Sequence, residues 1–285
     1  MLRKGNPNSI RCGNQLVDLS TPVIMGIINV TPDSFYKPSR VAGSLDLAVE
    51  MAAEMIAQGA VFLDVGGMST RPGSQEIPVE AELERVLPVI EKLHDLFPDT
   101  VISVDTYRAE VARHCIAAGA TMVNDVSGGQ LDQELLSEVA SHQVAYVLMH
   151  MRGTPATMNQ NTEYQDITNN ILKYFVKGLR DLKQKGIREI ILDPGFGFAK
   201  TMEQNYKLID QLGVFRILEC PLMVGISRKS TLANTIGRPV EETLEATTAL
   251  HMVALQNGAS ILRAHDVRAA NDAIAVYKRL LLTDV

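Results

Sequence analysis

Eight short, mostly apolar runs recur along the chain, and each stops on a polar or charged residue. They are VIMGII before Asn29, VFL before Asp64, VISV before Asp105, TMV before Asn124, VAYVLM before His150, EIIL before Asp193, LMVGI before Ser227 and SIL before Arg263. Runs this short, each followed by a stretch of helical periodicity, are the pattern of parallel strands covered on both faces. Eight of them predict an α/β fold, a closed (β/α)8 TIM barrel, whose strand C-termini and following loops gather distant residues into one pocket.

The intervening periodicity predicts helices over 45–58, 80–96, 107–118, 132–141, 163–185, 202–213, 241–257 and 267–282. Glycines at 59, 119, 186 and 258 stand where a helix must end before the next strand begins, as a left-handed C-terminal cap requires. Upstream, SIRCGNQLVDLS reads as two extended pieces around Gly13-Asn14, an N-terminal β-hairpin within residues 1–20 placed to close the barrel floor. The connections Val30 to Ser44 and Gly66 to Val79 are long and rich in Gly, Pro, Ser and Thr, the character of loops that cover a pocket. No linker or composition shift divides the chain, so residues 1–285 read as a single barrel domain.

Composition narrows the partners. Hydrophobic residues make up 46% and charged residues 21%, an ordinary globular balance. The net charge of −6, without blocks of like charge, argues against nucleic acid and against a basic membrane patch and favours small-molecule partners. Cys12, Cys115 and Cys220 are odd in number and widely spaced, which suggests neither a disulfide framework nor a zinc cluster and fits a reducing cytoplasm. The N-terminal stretch has basic residues but no apolar core, and no apolar run approaches a membrane span, so a soluble protein is expected.

Several strand ends carry candidate chemistry. Asp105 and Asp193 would point carboxylates into the barrel mouth, where each could pair with an amidine-like N–H edge such as a guanine-type ring presents. Each could instead cap the helix that follows. Asn124, beside Asp125, offers an amide at the same level or a tie for its own loop. Ser227-Arg228-Lys229-Ser230 and Arg263-Ala264-His265 follow the last two strands, where barrels often bind phosphate; the alternative is a solvated charge cluster. Asn29, Thr31, Asp33 and Phe35 on the first long loop, with Ser69, Thr70 and Arg71 on the second, could close over a substrate, though turn chemistry alone explains several of them. His150 ends the fifth strand and could line the pocket. No nucleophile elbow and no P-loop is present.

Taken in order, MGIINVTPDSF, DVGGMSTRPGS, ISVDT, VNDVSG, LMHM, LDPGFGFAK, GISRKS and RAHDV resemble the dihydropteroate synthase family over about residues 22–275. The resemblance implies condensation of 6-hydroxymethyl-7,8-dihydropterin diphosphate with p-aminobenzoate, with Mg2+, in folate synthesis. It implies a pterin site of Asp105, Asn124, Met149, Asp193, Phe198, Lys229 and Arg263, in which Asp193 pairs with the 2-amino group and ring N–H. It implies a p-aminobenzoate site of Phe35, Thr70, Arg71, Pro72 and Ser230. The diphosphate falls to Asn29, Thr70, Arg263 and His265, with Asn29 as the metal ligand, and the catalytic set to Asn29, Arg71, Lys229, Arg263 and His265. A homodimer follows from the resemblance alone. Two departures stand out: Tyr36-Lys37-Pro38-Ser39-Arg40 replaces the usual aspartate-containing end of the first loop, and Met68 stands where glutamate is common.

Overall fold

The computed structural model describes residues 9–31, 41–69 and 76–282, without the side chains of 41–44. The chain opens with an antiparallel hairpin, β1 (Ser9–Cys12) and β2 (Gln15–Asp18). The barrel strands are then β3 (Val23–Asn29), β4 (Ala60–Gly66), β5 (Val101–Asp105), β6 (Met122–Asp125), β7 (Ala145–Met149), β8 (Ile190–Asp193), β9 (Met223–Val224) and β10 (Ile261–Ala264). All barrel pairings are parallel, in the order β8-β7-β6-β5-β4-β3-β10-β9. A parallel bridge between Leu192 and Leu222 joins the two ends, so the eight-stranded sheet closes.

The helices are α1 (Val41–Ala57), α2 (Val79–Leu96), α3 (Ala109–Ala117), α4 (Leu135–His142), α5 (Ile167–Gln184), α6 (Met202–Asp210), α7 (Ser230–Ile236), α8 (Leu244–Gln256) and α9 (Val267–Leu282). Eight fall on the expected stretches with shifted ends. The addition is α7, placed directly after the SRKS segment, where its seven residues are too few to show a helical period. The expected start at 163 moves to 167 because Asp166 caps α5, its side chain accepting from Asn169 N–H. At 241 the chain first makes a 3-10 turn, Val240–Glu242. The helix-ending glycines all adopt positive φ. At Gly119, with φ of 114°, a Cβ would also lie 2.4 Å from the His94 ring, so no other residue fits.

Two apolar layers result from the strand alternation of side chains. Ile24, Leu63, Ile102, Val123, Leu148 and Leu192 face the helices and join the large outer core. Their neighbours Met25, Phe62, Val101, Met122, Val147, Ile191, Met223 and Ile261 face inward, and Ile10, Cys12, Val17 and Leu19 of the hairpin pack against them. The hairpin thus plugs the barrel at the strand N-termini, as expected. Burying each such aliphatic side chain contributes roughly 1.5–3 kcal/mol.

Candidate active site

The inward layer continues upward by the same alternation. Stepping two residues from Phe62, Met122, Val147, Ile191 and Ile261 reaches Asp64, Asn124, Met149, Asp193 and Arg263; stepping four from Met25 and Val101 reaches Asn29 and Asp105. The expected anchors therefore share the interior face of the mouth because each lies an even number of residues above the floor. Asp125 lies one residue off this register and faces the helices. Its carboxylate accepts from Tyr146 Oη at 2.7 Å and from the Ser127 and Gly129 N–H groups. Holding the loop is the work of Asp125 rather than Asn124.

Arg263 spans the lumen. Its Nε donates to Asp64 Oδ2 at 2.6 Å and its Nη2 to Asp105 Oδ2 at 2.7 Å. Asn124 Nδ2 donates to the same Asp64 oxygen at 2.8 Å. Burial alone would lower the Arg263 pKa, but the two carboxylates hold it above its ordinary value. Burial raises Asp105, against the pull of Arg263. Asp64 is fully buried, and the sequence reading gave it no role. The apolar run continues past it as VGG, which disguises an inward carboxylate one layer below the mouth.

Asp193 is 6% exposed. Its Oδ1 accepts from Gly195 N–H at 2.8 Å, while Thr201 caps α6 in a capping box with Gln204. The capping alternative therefore fails for Asp193. It fails for Asp105 as well, since the first turn of α3 gains its side-chain acceptor from Asp132, bonded to Ala109 N–H at 2.7 Å. Burial raises the Asp193 pKa, opposed by Lys229 and by the Gly195 N–H. Lys229 donates to Phe196 O, lies 4.8 Å above the Phe198 ring and is lowered by burial to about 8. Met149 and Phe198, the expected walls, meet in one apolar cluster with Tyr107, Val126, Met151 and Met158.

The charge cluster after β9 and β10 divides. Arg228, with a left-handed φ of 51°, forms a bidentate pair with Asp266 at 2.9 and 2.6 Å and is neutralised there. His265 stays beside the site, its backbone N–H and Nδ1 each 3.2 Å from Ser227 Oγ. Ser230 opens α7 and is exposed. His150, by contrast, is sequestered: it is 3% exposed, and its Nδ1 lies 3.2 Å from Lys200 Nζ. Burial, aided by Lys200, lowers its pKa to about 2. The sequence reading did not single out Lys200 either; a lysine beside a helix start ordinarily reads as solvated, and no local signal marks it as buried.

Phe35, Thr70, Arg71, Pro72 and the 36–40 departure lie outside the described residues. The flanks of the second loop are anchored, with Arg85 Nη1 donating to Gly67 O at 2.9 Å. On the far side Glu76 Oε1 accepts from Tyr107 Oη at 2.6 Å and from Arg108 Nη2 at 3.1 Å, and Ile77 O accepts from Arg108 at 2.6 Å. Met68 packs by its sulfur 3.9 Å from Tyr107 Oη.

A family model described as "Pterin binding enzyme" matches residues 25–265. A dihydropteroate synthase of Synechocystis is 43% identical over 249 residues, 86% of each chain. A solved Xanthomonas albilineans dihydropteroate synthase with 4-aminobenzoic acid superposes with a TM-score of 0.89 at 37% identity, covering 96% of this chain and 98% of that one. Another structure from that organism, in complex with 7,8-dihydropteroate, gives 0.86 at 35% identity over 96% and 98%.

Proposed function

The chain belongs to the pterin-binding enzymes as a member of the dihydropteroate synthase family, and from that premise we propose how its own residues divide the work. The reaction is the family's: a transferase step joining 6-hydroxymethyl-7,8-dihydropterin diphosphate to p-aminobenzoate, with 7,8-dihydropteroate and diphosphate as products. The observation that carries the division is the single inward register of Asp105, Asn124, Asp193 and Arg263 above the barrel floor. In this reading Asp193 accepts from the pterin 2-amino group and ring N–H through its second oxygen. Lys229 donates to the ring from the opposite side. Asp105 and Asn124 present the oxygens not committed to Arg263 and Asp64. Met149 and Phe198 wall the ring, and Arg263 lies against its face. A buried site built for these hydrogen bonds rejects rings that lack the matching edge, because its polar groups would be left unpaired.

Nη1 of Arg263 has no partner among the described residues and, with His265, meets the diphosphate. Phe35, Thr70, Arg71, Pro72 and Ser230 form the p-aminobenzoate site. In the condensation the bond between the exocyclic carbon and the diphosphate oxygen breaks, and its electron pair leaves with the diphosphate. The aniline nitrogen supplies the electron pair of the new C–N bond and loses a proton to solvent. No protein nucleophile takes part; positioning and charge stabilisation lower the barrier.

Asn29 offers one hard amide oxygen, and the described residues hold no group of three His, Cys, Asp or Glu able to bind a metal. So sparse a donor set fits Mg2+, which keeps several waters and shares substrate phosphate oxygens. Bound there, it would supply Lewis-acid stabilisation to the leaving diphosphate. A homodimer and a cytoplasmic location complete the proposal. The three cysteines are free and buried, consistent with a reducing compartment, and no described helix is long and apolar enough to cross a membrane. Steady-state assays with both substrates, with and without a chelator, test the assignment. Dihydropteroate formation should depend on Mg2+ and weaken in Asn29→Ala; undiminished turnover in both cases refutes the metal role.

A further inference from the structure

Lys200 takes no part in the scheme above, yet it is 9% exposed and its Nζ is ringed by acceptors. Gly195 O and Phe198 O lie at 2.8 Å, His150 Nδ1 at 3.2 Å and His150 O at 3.3 Å. Carbonyl oxygens carry partial negative charge and repel one another, so three of them converge on a point only around a donor or a cation. The turn they belong to also needs holding. Gly195, Gly197 and Ala199 all take positive φ, of 71°, 79° and 51°, and for alanine that conformation costs about 1–2 kcal/mol.

The other side of this turn faces the pocket. Phe196 O accepts from Lys229, the Phe198 ring lies 4.8 Å beneath the Lys229 ammonium, and Gly195 N–H donates to Asp193 Oδ1 at 2.8 Å. One buried amine therefore fixes three groups that touch the two innermost pterin anchors. We propose that Lys200 is a positioning residue for pterin recognition, an internal amine that closes the 195–198 turn and so aims Lys229 and Asp193 without touching substrate. The proposal rests on the reading that this pocket takes the pterin.

His150 is the other half of the device. Burial holds it neutral through ordinary pH, so Nδ1 can accept from Lys200 while its carbonyl joins the ring of acceptors. Asn205 braces the turn from outside, its Oδ1 accepting from Gly197 N–H at 2.7 Å. The position of Lys200 thus connects the end of β7 to the start of α6 through the turn that carries Phe196 and Phe198.

The test compares Lys200→Met, which keeps the length and removes the donors, with Lys200→Gln, which keeps N–H donors without charge. Calorimetry with 6-hydroxymethyl-7,8-dihydropterin gives the pterin Kd, and steady-state kinetics at saturating pterin substrate give the KM for p-aminobenzoate. Lys200→Met should raise the pterin Kd at least tenfold and leave the p-aminobenzoate KM within twofold. Lys200→Gln should recover part of the loss. A pterin Kd within twofold of wild type in Lys200→Met, or equal losses for both substrates, overturns the proposal. If Lys200→Met does not fold, Lys200→Gln decides: a wild-type pterin Kd overturns it and a selective loss supports it. Wild-type protein titrated alongside separates the two levels, since failure of wild type to bind pterin would sink the pocket reading and this proposal with it.

Discussion

Replacing Asp64 by asparagine isolates the buried charge that holds the lumen together. In the folded protein its Oδ2 accepts from Arg263 Nε at 2.6 Å and Asn124 Nδ2 at 2.8 Å, and Oδ1 has no hydrogen-bond partner among the described residues. Asparagine keeps one acceptor oxygen but removes its charge, which weakens two hydrogen bonds, one of them to a charged donor worth about 1.5–3 kcal/mol. Its new NH2 must then lie where Oδ1 now sits, a buried donor without an acceptor, at a further cost of about 1–3 kcal/mol. The sum, about 2.5–6 kcal/mol, brackets the roughly 3–5 kcal/mol that breaking a buried ion pair by removing one partner usually costs. Urea denaturation should show that loss. Because Arg263 would then keep only one carboxylate partner, Asp105, kcat/KM for the pterin substrate should fall at least tenfold, or about 1.4 kcal/mol. A destabilisation under 1 kcal/mol together with unchanged kcat/KM would refute this account of Asp64.

Two further outcomes follow from the pocket geometry. In the proposed pterin site the ammonium of Lys229 is the stronger donor to the ring, and burial lowers its pKa to about 8, so pterin affinity should decline as pH rises through about 8. Lys229→Arg should remove that decline in a calorimetric pH series; a decline unchanged by the substitution would assign it to another group. Gly195→Ala would place a Cβ 2.1 Å from His150 O in a left-handed conformation, so it should destabilise the fold by more than about 2 kcal/mol, and wild-type stability in urea would contradict the geometry.

The fold was legible because burial on both faces writes each barrel strand as an apolar run, and glycines mark where helices stop. The polar stops then identified the mouth correctly at Asp105, Asn124, Asp193 and Arg263. What local pattern cannot show is how a side chain is used across the lumen. Asp64 falls inside an apolar run and reads as a strand stop, yet its partners lie 60 and 199 residues away. Lys200 looks like a surface lysine beside a helix start, and only its three converging carbonyls reveal its burial. Arg228 carried the opposite error: its charge looked available for an anion until the structure paired it with Asp266. Helix α7 leaves no mark in the hydrophobic pattern because seven residues are too short to display a period.

In the proposed site, pterin recognition turns on the buried Asp193 carboxylate. Calorimetric titration of Asp193→Asn with 6-hydroxymethyl-7,8-dihydropterin tests it most directly. Affinity should fall by roughly tenfold to several-hundredfold, the equivalent of about one charged hydrogen bond, with the fold intact. Wild-type affinity in the folded variant would contradict it.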